Sequence, residues 1–185
     1  DNSYYTNSDE NITAIWHFLK VCHEKGWITE KYRPTPWCIR CGTALSEHEM
    51  GDADAYKEIE HTAVFFKLPV LGTNNSVVVW TTTPWTIPSN LGICLNARYD
   101  YTIFEYKNEN YFVATELLEN FTKEVKWENV KVLGTLKGSD FEKFEAKHPL
   151  YNKKSLLILG DHVTLEAGTG SVHTAPGHGL EDWEA

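Results

Sequence analysis

"VVVWTTTPWTIPSN", residues 77–90, begins as a strand and ends as something else. Val77, Val78, Val79 and Trp80 run straight into Thr81, Thr82 and Thr83, and a Pro-Trp-Thr-Ile-Pro segment follows. With two prolines in five residues, that segment can be neither helix nor central strand. Threonine is a good strand residue, which would account for an isolated triplet. Here Pro84 follows directly and forces the chain out of the sheet, leaving the hydroxyls and nearby backbone groups exposed at the strand end.

A second segment of similar character is "GTGSVHTAPGHGLEDWE", residues 168–184. Its glycines permit close backbone approach and unusual dihedrals. "SVHTA" reads as a short strand with His173 and Thr174 on opposite faces, and "LEDW" offers Glu181 and Asp182 at a helix start. A lone histidine is most often a satisfied core or surface residue. One on a strand between glycine-rich turns, nine residues from Asp182, is a candidate pocket wall.

Between and around these segments the texture is β from His61 onward. Short runs rich in Val, Ile, Tyr and Thr ("HTAVFFKLPV", "SVVVWTT", "LGICLN", "YTIFEY", "YFVATE", "VKVLGTL", "SLLILG", "HVTLE", "GSVHTA") are broken by Gly, Asn, Asp and Pro. This density of strands predicts a barrel or a strongly bent sheet. "TELLENFTKEV" (115–125) is the one helix predicted inside this region. Upstream, residues 8–26 predict an amphipathic helix capped by Ser8 or Asp9 and ended by Gly26, with Ile12, Ile15, Trp16, Leu19 and Cys22 at helical spacing. Residues 27–50 carry Pro34, Pro36 and a CxxC turn and read as a compact knuckle with a connector after it.

The composition, 42% hydrophobic and 23% charged, is that of an ordinary globular domain. Seventeen basic residues against twenty-six acidic ones, a formal charge of -9, argue against a surface that grips long nucleic acid by its phosphates. A nucleic-acid partner would be met locally. No apolar run reaches membrane-span length. Four cysteines without regular spacing favour reduced thiols over a disulfide framework.

Cys38 and Cys41 are half of a zinc site, but neither Cys22 nor His48 stands at a standard partner spacing, so a structural turn is the plainer reading and a structural zinc the alternative. HExxH, Walker and thioredoxin contexts are absent, and Ser171 is misplaced for a GxSxG elbow. The chain begins "DNSYY" without methionine and stops at "GLEDWEA", as expected of a piece of a longer protein.

"WTTTPWTIPSN" and "GTGSVHTAPGHGLED" together resemble the paired signatures of the editing domain, the connective peptide 1 insertion, of isoleucyl-tRNA synthetase in the class I aminoacyl-tRNA synthetase family. The related leucyl and valyl enzymes carry a Thr-Thr-Arg-Pro type motif where this chain has Thr82-Thr83-Pro84-Trp85. "KGWITEKYRPTPWCIRCGTALSEHEM" resembles the segment leading into that insertion, and "YKEIEHTAVFFKLPV" its first strand. Leu180 departs from the polar or small residue of many relatives, while the register of Asp182 is kept.

The resemblance implies an α+β, β-rich fold: a distorted β-barrel-like editing domain over 56–185, with a few helices, and an N-terminal helix and knuckle appendage over 1–55. HIGH-like and KMSKS-like motifs for ATP are absent, so the implied activity is hydrolysis of a wrong product. The logic is the double sieve, of which isoleucyl-tRNA synthetase is itself the standard worked case. One methylene is worth only about 1–3 kcal/mol, so a second, smaller pocket must clear the valyl ester.

The roles that follow from the resemblance fall on named residues. Asp182 pairs with the substrate ammonium, and His173 limits side-chain size and helps hold the terminal adenosine. Thr81, Thr82 and Thr83 line the ester and its water. Trp80, Pro84, Trp85, Thr174, Ala175, Pro176 and Gly177 shape the substrate walls. Editing implies no cofactor. The implied partners are the 3′ end of tRNA(Ile) carrying valine and the remainder of the parent synthetase, with no membrane, a monomeric state, and a cytoplasmic or organellar-matrix location. Two rival readings remain: a free-standing deacylase that edits in trans, and a non-catalytic insertion that only binds the tRNA end.

Overall fold

The computed structural model describes residues 5–52, 54 and 56–185. It divides into two compact units, Asp1–Arg33 and Pro34–Ala185. In the first, helix α1 (Asp9–Glu24) starts at Ser8, whose hydroxyl accepts the Asn11 N–H at 3.3 Å, and the chain leaves it through Gly26 at φ +71°. Both end signals act as the sequence suggests.

The second unit opens with a two-residue hairpin, β1 (Trp37–Cys38) and β2 (Thr43–Ala44), that carries the CxxC turn. Helix α2 (Glu47–Met50) follows where only a connector is predicted; Ser46 and Glu49 close a capping box around it.

The rest is two sheets. Strands β3 (Val64–Pro69), β4 (Asn75–Thr81), β6 (Asp100–Tyr106), β7 (Glu109–Ala114) and β8 (Lys131–Lys137) form one, in the order β3-β4-β7-β6-β8. Strands β5 (Gly92–Leu95), β9 (Glu145–Lys147), β10 (Lys154–Leu159) and β11 (Ser171–Thr174) form the other, in the order β11-β5-β10-β9. The fold is therefore mixed α+β and β-rich, but the described residues make no closed barrel. A single bridge, Val70 to Ala146, and the packing of β11 against β4 bring the sheets together at their margins.

The run Val77–Val79 is apolar because β4 is buried on both faces. Val77 and Val79 join the main core with Leu68, Ile93, Leu95, Phe112 and Leu157, while Val78 joins a second core with Phe104, Tyr111, Val113 and Phe121. Phe121 comes from helix α3 (Leu118–Glu124), preceded by a 3-10 turn over Thr115–Leu117, so the predicted helix is present with its first residues tightened.

Three expectations change. Pro84–Ser89 is a 3-10 helix, contrary to the exclusion of helix there. A 3-10 turn needs few backbone bonds (Thr86 N to Thr83 O and Asn90 N to Ile87 O suffice), so proline's missing donor costs little. "HVTLE", read as a strand, is an irregular loop: Asn96 takes the Val163 carbonyl and two positive-φ glycines, Gly168 and Gly170, turn the chain behind it. Strand β9 was not expected, because its three residues carry no alternating pattern to read. No described helix is long and apolar enough to cross a membrane.

Candidate active site

A cavity of about 370 Å³ opens where the free edge of β11 meets the end of β4. Trp80, Thr81, Thr82 and Thr83 wall one side. Ser171, Val172, His173, His178 and Asp182 line it as well, together with residues of the loop His162–Gly170. Two motifs about ninety residues apart thus meet in one space.

The threonines are ordered by local bonding. Thr81 ends β4 with its Oγ1 3.1 Å from the Thr83 N–H, which it accepts, and 3.2 Å from Thr83 Oγ1. Thr81 is buried, whereas Thr82 and Thr83 are exposed, so the triplet presents hydroxyls at graded depth.

The glycine-rich segment is pinned by the core. Tyr101 Oη donates to the Gly170 carbonyl at 2.6 Å, and the Ala114 N–H donates to Thr169 O at 2.8 Å. Gly168 and Gly170 sit at φ +78° and +71°; a Cβ on Gly168 would lie 3.0 Å from the Trp80 ring, and one on Gly170 2.4 Å from Ala114 Cβ. Glycine at these positions lets the turn lie against the indole that walls the cavity.

His173 is buried, and its two ring nitrogens are both engaged. Asn90 Nδ2 is 2.7 Å from Nδ1 and Thr86 Oγ1 is 2.9 Å from Nε2. Asn90 Nδ2 also donates to the Gly92 carbonyl at 2.8 Å, and Asn90 Oδ1 accepts from Ser155, which fixes the amide orientation. Nδ1 must then accept, so the proton sits on Nε2 and is donated to Thr86, whose own hydroxyl donates to Thr83 O at 2.8 Å. Burial holds the imidazole below its usual pKa, against the opposing charge of Asp182. A neutral ring with no free lone pair is a wall, not a general base.

Asp182 lies in helix α4 (Leu180–Glu184), with Oδ2 accepting the Ala175 N–H at 2.8 Å. The Asp182 side chain also lines the cavity. Cys94, on β5 opposite Val172, has its thiol pushed up to about 11 by burial and by the Asp182 charge, which keeps it an inert thiol.

The structure therefore gathers Trp80, Thr81, Thr82, Thr83, His173 and Asp182 around one cavity. Pro84, Trp85, Thr174, Ala175, Pro176 and Gly177 do not line it. Trp85 is exposed beside His61, ring centroids 5.2 Å apart, and Thr174 and Ala175 are buried in the strand and its exit. Thr86 and Asn90, which hold His173, were not singled out from sequence, nor were the wall residues His162, Glu166 and Thr169.

At the knuckle, the Cys41 N–H donates to Cys38 Sγ at 3.3 Å, which lowers the Cys38 pKa, while the Cys38 thiol beside it raises that of Cys41. Among the described residues no group of three or more His, Cys, Asp or Glu is placed to hold a metal ion.

Comparison with known proteins gives the family. The chain is 47% identical to the isoleucine-tRNA ligase of Lawsonia intracellularis over 100% of its own length and 20% of that protein, and 40% identical to that of Petrotoga mobilis over 99% and 20%. It thus spans about a fifth of these relatives. Its fold is similar to the solved GlLeuRS-CP1 structure (TM-score 0.59, 15% identity, 66% of this chain and 58% of that one). It is also similar to the editing domain of the P. knowlesi cytosolic leucyl-tRNA synthetase (TM-score 0.56, 11% identity, 65% and 59%). The family model for class I tRNA synthetases (I, L, M and V) matches residues 1–147, and the chain belongs to that family.

Proposed function

We propose that this chain is the editing portion of an isoleucine-tRNA ligase and hydrolyses the ester of valyl-tRNA(Ile), with isoleucine excluded by size. The observation that carries the reading is the meeting of Thr81–Thr83, the neutral His173 and Asp182 around one cavity. Relatives of 40–47% identity that are isoleucine-tRNA ligases, and editing domains of the same fold, support it.

In this reading the Asp182 carboxylate takes the α-ammonium of the substrate, a cation otherwise costly to desolvate, in a charge-assisted contact. The hydroxyls of Thr82 and Thr83 orient water against the ester carbonyl, with Thr81 bracing Thr83 from beneath. His173, locked by Asn90 and Thr86, closes off room for a larger side chain. The acceleration then comes from orientation and fixed dipoles on an ester that is already labile, without a strong base or a covalent nucleophile.

The functional division follows: an appendage over 1–55 and an editing unit over 56–185. The reaction takes no cofactor in this scheme. A structural zinc at Cys38 and Cys41 would take its remaining ligands from outside the described residues. The partners are the 3′ end of tRNA(Ile) carrying valine and the rest of the synthetase, in the cytoplasm or an organellar matrix.

The test is single-turnover deacylation of valyl-tRNA(Ile) by excess wild type and Asp182→Ala. We expect clearance by the first and a loss of about 30-fold or more in the second, the factor that 2 kcal/mol represents. Equal rates would remove Asp182 from its role. No clearance by wild type would favour the non-catalytic reading.

A further inference from the structure

The four cysteines divide by exposure. Cys22 and Cys94 are buried, whereas Cys41 is exposed and Cys38 half-buried. The buried two are small apolar residues packed out of reach of reagents, and the Cys94 thiol is inert besides. The open two are the pair in "WCIRC", residues 37–41, and no packing role of that kind accounts for them.

The β1–β2 hairpin sets their sulfurs side by side. Trp37 pairs with Ala44 and Cys38 with Thr43, which leaves residues 39–42 as the turn. Gly42, at φ +68°, donates its N–H to the Cys38 carbonyl at 2.8 Å, and the chain folds Cys41 back over Cys38, its N–H 3.3 Å from Sγ. The two thiols are hydrogen-bonding neighbours. The turn stands in solvent, with Ile39 94% exposed, and the hairpin is a sheet of its own, so turning these side chains disturbs neither of the larger sheets. Among the described residues no third His, Cys, Asp or Glu joins the pair to hold a metal ion. Within those residues the chemistry open to it is that of a dithiol.

We propose that Cys38 and Cys41 form a thiol–disulfide exchange site that small-molecule disulfides such as glutathione disulfide oxidise reversibly. The Cys38 sulfur attacks one sulfur of the reagent, whose S–S bond breaks, and one glutathione leaves as a thiol with the Cys38 proton. The Cys41 sulfur then attacks the Cys38 sulfur of this mixed disulfide, and the second glutathione leaves with the Cys41 proton. Two protein thiols are oxidised to one disulfide while one glutathione disulfide is reduced to two thiols. Because the turn already holds the sulfurs together, the second step is intramolecular and outruns capture of another glutathione.

Treatment of the full chain with glutathione disulfide, followed by unfolding, alkylation with iodoacetamide and peptide mass spectrometry, tests the pair. The peptide carrying Cys38 and Cys41 should lose both alkylation sites and keep no glutathione, while Cys22 and Cys94 are still alkylated. Dithiothreitol should restore both sites. Cys41→Ser and Cys38→Ser, each lacking the resolving thiol, should instead retain one bound glutathione. A glutathione adduct that persists in wild type, full alkylation of both cysteines after treatment, or oxidation spread equally over all four cysteines would overturn the exchange site. So would a pair that reacts only after a chelator is added, in favour of a bound metal. Thiol counting reads the knuckle alone, so the result stands apart from whether an ester is hydrolysed.

Discussion

At the scale of single residues, His173 is held rather than acting. Asn90 serves three buried partners at once: His173, the Gly92 carbonyl and Ser155. Asn90→Ala should therefore cost about 1–3 kcal/mol or more of stability by urea unfolding, as buried groups lose their partners. Thr86→Val, which leaves the Nε2 proton without an acceptor, should cost about the same.

Histidine titration gives a second test. Burial is the first cause that lowers the pKa of both His173 and His148 in the folded state. Such groups bind fewer protons folded than unfolded near their ordinary pKa of about 6.5. Their stabilising contribution is present above that pH and lost as pH falls through it. The urea midpoint should drop between pH 7.5 and 5.5, and His173→Asn should flatten that drop.

That Thr81–Thr83 and His173 would stand at strand exits was legible from Pro84 and the glycines beside them, whereas Asp182 was set apart from Glu181 only by the family resemblance; all five line the cavity. Thr86 and Asn90 were not legible, because their function is a contact with a histidine 87 and 83 residues away. Nothing local announces that contact.

At the scale of elements, the Gly168–Gly170 turn sets the cavity's second wall. Gly170→Ala meets both a positive φ and a Cβ contact at 2.4 Å with Ala114, so it should destabilise by about 1–3 kcal/mol or more and disturb the wall with it. The check is the urea midpoint together with near-UV circular dichroism, since Trp80 packs on the same turn. Strand runs with strong β composition, Val77–Val79 above all, were readable from residue type. The loop His162–Gly170 was misread in part as a strand because Val163 and Leu165 alternate with polar residues. The tertiary bonds of Asn96, Tyr101 and Ala114 override that pattern.

At the scale of the whole molecule, both hydrophobic cores lie within residues 34–185. A chain of those residues alone should fold cooperatively, with a thermal midpoint close to that of the full chain. The β-rich character was readable from strand density, but the division into two sheets was not: the density predicts a barrel or one strongly bent sheet, and which strands pair is not encoded by strand sequences one by one. The net charge of -9 is compatible with the proposed function if RNA meets the chain only at the cavity.

In the proposed reaction, the cavity at the meeting of β4 and β11 selects its ester by size. The most direct measurement is the ratio of deacylation rates for valyl-tRNA(Ile) and isoleucyl-tRNA(Ile) under single-turnover conditions, for wild type and His173→Ala. Wild type should lose the valyl ester rapidly and spare the isoleucyl ester, which should become labile once the imidazole is removed. Equal hydrolysis of both esters by wild type, or an isoleucyl ester still spared in a folded and valyl-active His173→Ala, would contradict this selection.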